Sequence, residues 1–367
     1  MSSIQITYLV NSQISKEVTE AIRVEQTIEF PFELAPEWIQ QQVVGQVVSA
    51  KEVGNSKTEV VIDFNTDTTG YEIGQMLNVV WGNVSMFPDV RITKIEFPED
   101  FLNAFKGPRF GISGVREILG AKKRPILATA LKPMGLSSNE LAKIATVMVE
   151  AGIDLIKDDH SLANQPWAKW NERVKVIASA VVEANQKFNR KSVYAPSINR
   201  PAEQILEAAI TARKLGSGAL MVLPGVSGFD TMRMIADSDE VRLPIMSHPS
   251  NLGSHMMNSN HGLNHEIVLA TIMRLSGADI SVFPNFGGRF SFSKEECTNI
   301  ANRCRAKLGN IKPIFPSPGG GMTIERIPEI TNFFGQDTFL LIGGALHRGN
   351  LLENAKGLRN FVDALEN

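Results

Sequence analysis

Cysteine is scarce: Cys297 and Cys304 are the two in 367 residues. They make neither a disulfide framework nor a zinc-ligand pattern, and they read as ordinary thiols in a reducing compartment. No block of lysine or arginine stands out against a net charge of -2, which argues against a nucleic-acid partner. The start, Met1-Ser2-Ser3-Ile4-Gln5, lacks the basic and apolar regions of a signal peptide. No apolar run reaches membrane-spanning length, so the expectation is a soluble cytoplasmic protein without a membrane partner. Scattered methionines and aromatics offer no haem or flavin site, and His255, His261 and His265 lack zinc-protease spacing. What the chain does have is a hydrophobic fraction of 43% with 21% charged residues, enough for a sizeable core. Its length suits one large or two ordinary domains.

Two rhythms divide the sequence. Residues 1–120 read as an α+β domain. Residues 22–30 and 57–64 look strand-like, 36–50 reads as a helix opened by Pro36, a second helix opens at 70–76, and strand returns at 90–97. From residue 121 to 367 short apolar strands alternate with helix-length segments. The strands fall at 126–131, 154–157, 192–197, 219–223, 244–247, 279–283, 312–317 and 338–342. Seven crossovers lie between them, and 351–365 forms a closing helix. Eight strands with seven crossovers predict a (β/α)8 TIM barrel. A doubly wound sheet is the alternative, but no glycine-rich nucleotide fingerprint follows the first strand.

Barrel chemistry sits at the C-terminal ends of the strands, and polar residues recur there. Lys132 follows the first strand, and Lys157, Asp159 and His160 the second. Asn199 follows the third, His248 the fifth, and Asn285 with Arg289 the sixth. Lys157, Asp159 and His160 could gather a divalent cation, because an uncharged lysine reacts with carbon dioxide to give a carbamate whose oxygens suit Mg²⁺. His160 could instead act as acid or base, and an Asp–Lys ion pair with a loop histidine is the plainer reading. Lys132 could polarise a carbonyl or shuttle a proton, or simply be solvated before Pro133. His248 could steer a proton or cap its strand. Gly319, Gly320 and Gly321 follow the seventh strand, and Gly343 and Gly344 the eighth. Amides in such turns cradle phosphate, although glycine also merely permits tight turns. Arg289 could supply a second anion contact.

Together these stretches resemble the large-subunit family of ribulose bisphosphate carboxylase, and more narrowly the RuBisCO-like proteins. The resemblance is clearest from Gly107 to Gly349. It is carried by Gly152-Ile153-Asp154-Leu155-Ile156-Lys157-Asp158-Asp159, Asn164-Gln165-Pro166-Trp167, Asn260-His261-Gly262, Arg274-Leu275-Ser276-Gly277-Ala278-Asp279 and the two glycine clusters.

The resemblance implies a homodimer in which the N-terminal domain of one subunit helps cover the barrel mouth of the other, with Asn83 as the contributed residue. It implies that Lys157 is carbamylated and binds Mg²⁺ with Asp159, and that Lys132 and His248 are catalytic. His160 stands where the carboxylase has glutamate. Met134 replaces a second active-site lysine, Pro249 a phosphate-binding arginine, Val282 a histidine, and Arg289 the mobile-loop lysine. These departures imply that carboxylation of ribulose bisphosphate is lost while metal-assisted enolate chemistry on a monophosphorylated substrate remains. The first expectation is decarboxylation or carbon–carbon cleavage of a phosphorylated oxo-sugar acid, its carboxylate met by Arg289. Enolisation or isomerisation of a methylthio-sugar phosphate is the second, and a regulatory protein without activity the third.

Overall fold

A computed structural model describes residues 2–365, which form two compact units. The first comprises the chain up to Lys106 with Asn251–Val268 and Leu308–Ile311. Its sheet runs in the spatial order Gly262–Leu263, Arg91–Glu96, Ser3–Asn11, Lys57–Asn65, Gln46–Gly54. Alternation sets the buried face: Ile4, Ile6, Tyr8 and Val10 point inward from one strand and pair in register with the buried Phe64, Ile62, Val60 and Thr58 of its neighbour.

Two expectations in this unit are corrected. Residues 22–30 are not a strand; Ser15–Glu25 is a helix that buries Thr19 and Ile22, so amphipathic packing overrides β-branched propensity. The helix expected over 36–50 stops after Glu37–Gln42, and Gln46–Gly54 turns into the edge strand. Gly45 is the hinge, with room for no side chain: a Cβ there would lie 2.8 Å from the Phe64 ring.

The second unit is Gly107–Ser250, Leu269–Lys307 and Lys312–Asn367, and it contains the expected eight-stranded parallel barrel. In chain order its strands are Ile126–Leu131, Leu155–Asp158, Val193–Ala195, Leu220–Val222, Ile245–Ser247, Ile280–Pro284, Phe315–Gly319 and Phe339–Leu341. Third and fourth strands meet at the Ser197–Met221 bridge, where Ile198 N–H donates to the Met221 carbonyl and Met221 N–H to that of Pro196, each at 2.9 Å. The helices Ser138–Ala151, Trp170–Phe188 and Phe229–Asp237 match their apolar periodicity. Among the described residues no helix is long and apolar enough to cross a membrane.

Large side chains fill the barrel's N-terminal end. Val115 and Leu119, from the helix Gly111–Leu119, pack there with Ile126, Leu155, Ile280, Phe315 and Phe339. Below them Asp154 accepts both Nη groups of Arg124 at 2.7 Å and Nη1 of Arg359 at 3.1 Å. Arg359 belongs to the last helix, Leu351–Ala364, so this buried cluster ties that helix to the start of the second strand. With the lower end packed shut, the polar residues are left to the C-terminal mouth.

Candidate active site

Side-chain alternation along the second strand sorts its four residues. Leu155 belongs to the barrel core, so Lys157 shares its inward face, while Asp158 points outward. Asp158 is fully buried there. It accepts Nε and Nη2 of Arg173 at 3.3 and 3.1 Å, Oη of Tyr194 at 2.7 Å and the N–H of Ser197 at 3.1 Å. Four donors satisfy this carboxylate, which makes it a structural fixture between strand and helix rather than a ligand.

Lys157 is 2% exposed, and its Nζ donates to the Asp158 carbonyl at 2.9 Å. Burial pushes its amine down to about 8; Asp159 resists that shift and Lys132 adds to it. The strand partners of Lys157 are Ala130 and Ala195, so neither flank offers a polar group.

Asp159 begins the turn after the strand. It makes a short contact with Lys132 Nζ, accepts Ser161 Oγ at 2.8 Å, and lies 3.2 Å from His160 Nδ1. Burial alone would raise its carboxyl, but Lys132 and Ser161 outweigh that effect and hold it well below the usual carboxylate range. The His160 ring stacks on that of His248 at 4.9 Å and 7°. Burial lowers the pKa of both, opposed by Asp159 and reinforced by the cation of Lys157. In His248, Nδ1 lies 2.9 Å from Ser250 Oγ and accepts the Ser250 N–H at 3.3 Å, an arrangement that favours the ring proton on Nε2.

The structure thus brings Lys132, Lys157, Asp159, His160 and His248 together. Arg289 is exposed in the loop after the sixth strand; its guanidinium lies 5.1 Å over the Phe290 ring, and its field reaches His160. Gly343 stands beside Lys132, since a Cβ there would lie 3.6 Å from Lys132 Cε. Gly320 and Gly321 have φ of 77° and 64°. A Cβ on Gly321 would come within 2.4 Å of Gly288 Cα, so the loops after strands six and seven can approach only because both are glycine there. Asn199 is half-buried on the third-strand loop. Asn83 lies in the first unit, where its Nδ2 donates to Glu25 Oε1 at 2.8 Å.

Three polar groups here were not singled out in the sequence. Ser197 and Ser317 occupy inward positions two residues beyond the core residues Ala195 and Phe315, and both hydroxyls are buried without a hydrogen-bond partner. His347, in the turn after Gly343 and Gly344, has a buried, unpartnered Nε2, and its pKa is lowered by burial and then by Lys132. Counting by twos from Ala195 would have marked Ser197; nothing local marks His347.

Among the described residues no three His, Cys, Asp or Glu side chains form a metal-binding group. Asp159 and His160 offer two donors side by side. A hard cation would fit if Lys157 contributed a third through a carbamate oxygen, and its lowered amine pKa suits it to that reaction.

Residues 111–288 match the family model for the ribulose bisphosphate carboxylase large chain, catalytic domain. The chain is 33% identical over 337 residues to 5-methylthioribulose-1-phosphate isomerase of Rhodospirillum rubrum, covering 91% of this chain and 87% of that protein. It is 30% identical over 332 residues to 2,3-diketo-5-methylthiopentyl-1-phosphate enolase of Bacillus velezensis, covering 88% and 81%. The crystal structure of the Rubisco-like protein from Rhodopseudomonas palustris superposes with a TM-score of 0.91 at 33% identity, over 100% of this chain and 99% of that one.

Proposed function

The chain belongs to the RuBisCO-like group of the ribulose bisphosphate carboxylase large-chain family, and from that premise we propose that it moves a proton at the carbon beside the carbonyl of a methylthio-sugar phosphate. The observation that carries this reading is the inward, buried Lys157, with its amine pKa near 8, beside Asp159 and His160 at the barrel mouth. The oxo-sugar acid expected first gives way, because relatives that match most of the chain are named for methylthio-sugar phosphates. Structure supports the change. Met134, Trp167 and Phe290 are 49%, 47% and 48% exposed on loops after the first, second and sixth strands, an apolar rim suited to a thioether.

Lys157 as a carbamate, Asp159 and His160 would hold Mg²⁺, which as a Lewis acid polarises a substrate carbonyl. Lys132, held by its contact with Asp159, relays a proton at the substrate carbon. His248 presents Nε2–H to a substrate oxygen. The glycines at 319–321 and 343–344 receive the phosphate, and Asn199 faces it from the third-strand loop. Val282, 5% exposed and packed in the core, puts an apolar surface where carboxylation would need a histidine. The working assembly is a homodimer with Asn83 supplied across the interface; exposed Phe30, Leu34, Trp38 and Met86 give the first unit an apolar surface suited to a second copy.

A second reading, the phosphorylated oxo-sugar acid, is favoured by one observation, the exposed guanidinium of Arg289 on the sixth-strand loop. One screen separates the two. The protein, with Mg²⁺ and bicarbonate, is given the two sulfur compounds and a set of phosphorylated oxo-sugar acids, and products are identified by NMR. Turnover of a sulfur compound supports the proposal; turnover of the acids alone overturns it.

A further inference from the structure

Ser197 is the next inward residue after Ala195, and Ala195 lies opposite Lys157 in the sheet. Continuing that register sets Ser197 level with Asp159, just beyond the flank of Lys157. Its backbone is fixed on three sides: N–H to Asp158, carbonyl to Trp170 Nε1 at 2.8 Å, and the bridge to Met221. Its hydroxyl is fully buried and unpartnered. A polar group held rigidly in that state calls for a partner that arrives with the site's working form.

We propose that the Ser197 hydroxyl donates a hydrogen bond to the carbamate formed on Lys157. The proposal rests on the reading of Lys157 as a carbon dioxide acceptor. In that step the Nζ lone pair of the neutral amine bonds to the carbon of CO2. One C=O π pair moves onto oxygen, and a proton leaves nitrogen for solvent. The product has two oxygens bearing one negative charge. A cation would take one, and the other, on a side chain only 2% exposed, needs a donor from the protein. Ala130 and Ala195, which flank Lys157, have none. Ser197 has one, on a backbone already immobilised.

The test is carbon-13 NMR of the protein titrated with labelled bicarbonate and Mg²⁺, reading the carbamate signal. The CO2 concentration at half-modification should rise about ten-fold in Ser197→Ala, as expected for loss of a charge-assisted hydrogen bond. Ser197→Thr, which keeps the hydroxyl, should stay near wild type. Ser217→Ala removes another buried, unpartnered hydroxyl, on the turn that leads into the fourth strand, and should change nothing. A Ser197→Ala titration that overlays wild type overturns the proposal alone. Absence of any carbamate signal in wild type overturns the reading of Lys157 and the proposal with it.

Discussion

Replacing Asp158 and Asp159 one at a time should separate scaffold from chemistry at adjacent positions. Asp158 and Arg173 are both 0% exposed, with their charges 3.1 Å apart. Asp158→Ala leaves the Arg173 cation buried without its counter-charge, still donating to the carbonyls of Ala163 and Ala168, and strips the carboxylate partner from Tyr194 Oη and Ser197 N–H. Removing one partner of a buried pair costs about 3–5 kcal/mol. Asp159 has a different setting: its cation, Lys132, is 36% exposed, and water can replace the lost contact. Asp159→Ala should therefore cost only about 1 kcal/mol while abolishing turnover. Guanidinium unfolding of the two variants beside wild type gives the stabilities, and the substrate assay gives the activities. An Asp158→Ala protein within about 1 kcal/mol of wild type, or an Asp159→Ala protein less stable than Asp158→Ala, would refute the assignment of one carboxylate to the scaffold and the other to the site.

Carbamate formation requires a neutral amine, so at fixed CO2 its rate should climb as pH rises through about 8, the Lys157 value, rather than near the ordinary lysine range; a carbon-13 time course at several pH values checks this. Gly321→Ala must relieve the 2.4 Å approach to Gly288 Cα at a positive φ, so it should separate the two loops and weaken inorganic phosphate binding about ten-fold by calorimetry. Lys132→Met removes the proposed proton carrier and should lower kcat by about 10²–10⁴-fold with folding intact by circular dichroism.

The barrel was legible because its signal is local and repeated. Strand 126–131 and helices 138–151, 170–188 and 229–237 coincide with their expected limits, since each apolar period meets one continuous core. The first unit was less legible. Its strand Gln46–Gly54 is exposed along its whole length and carries no burial alternation, and Gly45 at its start is packed against Phe64, 19 positions away. At the site, Lys157, Asp159, His160, Lys132 and His248 converge because all lie at or just beyond the C-terminal ends of strands of one barrel. The division of labour between Asp158 and Asp159 required alternation measured from Leu155. His347 depends on how the turn after Gly343 folds back toward Lys132, which strand pattern does not encode.

The most direct test of the central claim is proton exchange in deuterated water. The protein, with Mg²⁺ and bicarbonate, is incubated with 5-methylthioribulose-1-phosphate or 2,3-diketo-5-methylthiopentyl-1-phosphate, and proton NMR follows deuterium at the carbon beside the carbonyl. Enzymatic enolisation predicts incorporation into at least one of them with wild-type protein and none above background with Lys157→Ala. Wild-type protein that leaves both at the uncatalysed rate, while cleaving a sulfur-free oxo-sugar acid phosphate, would contradict it.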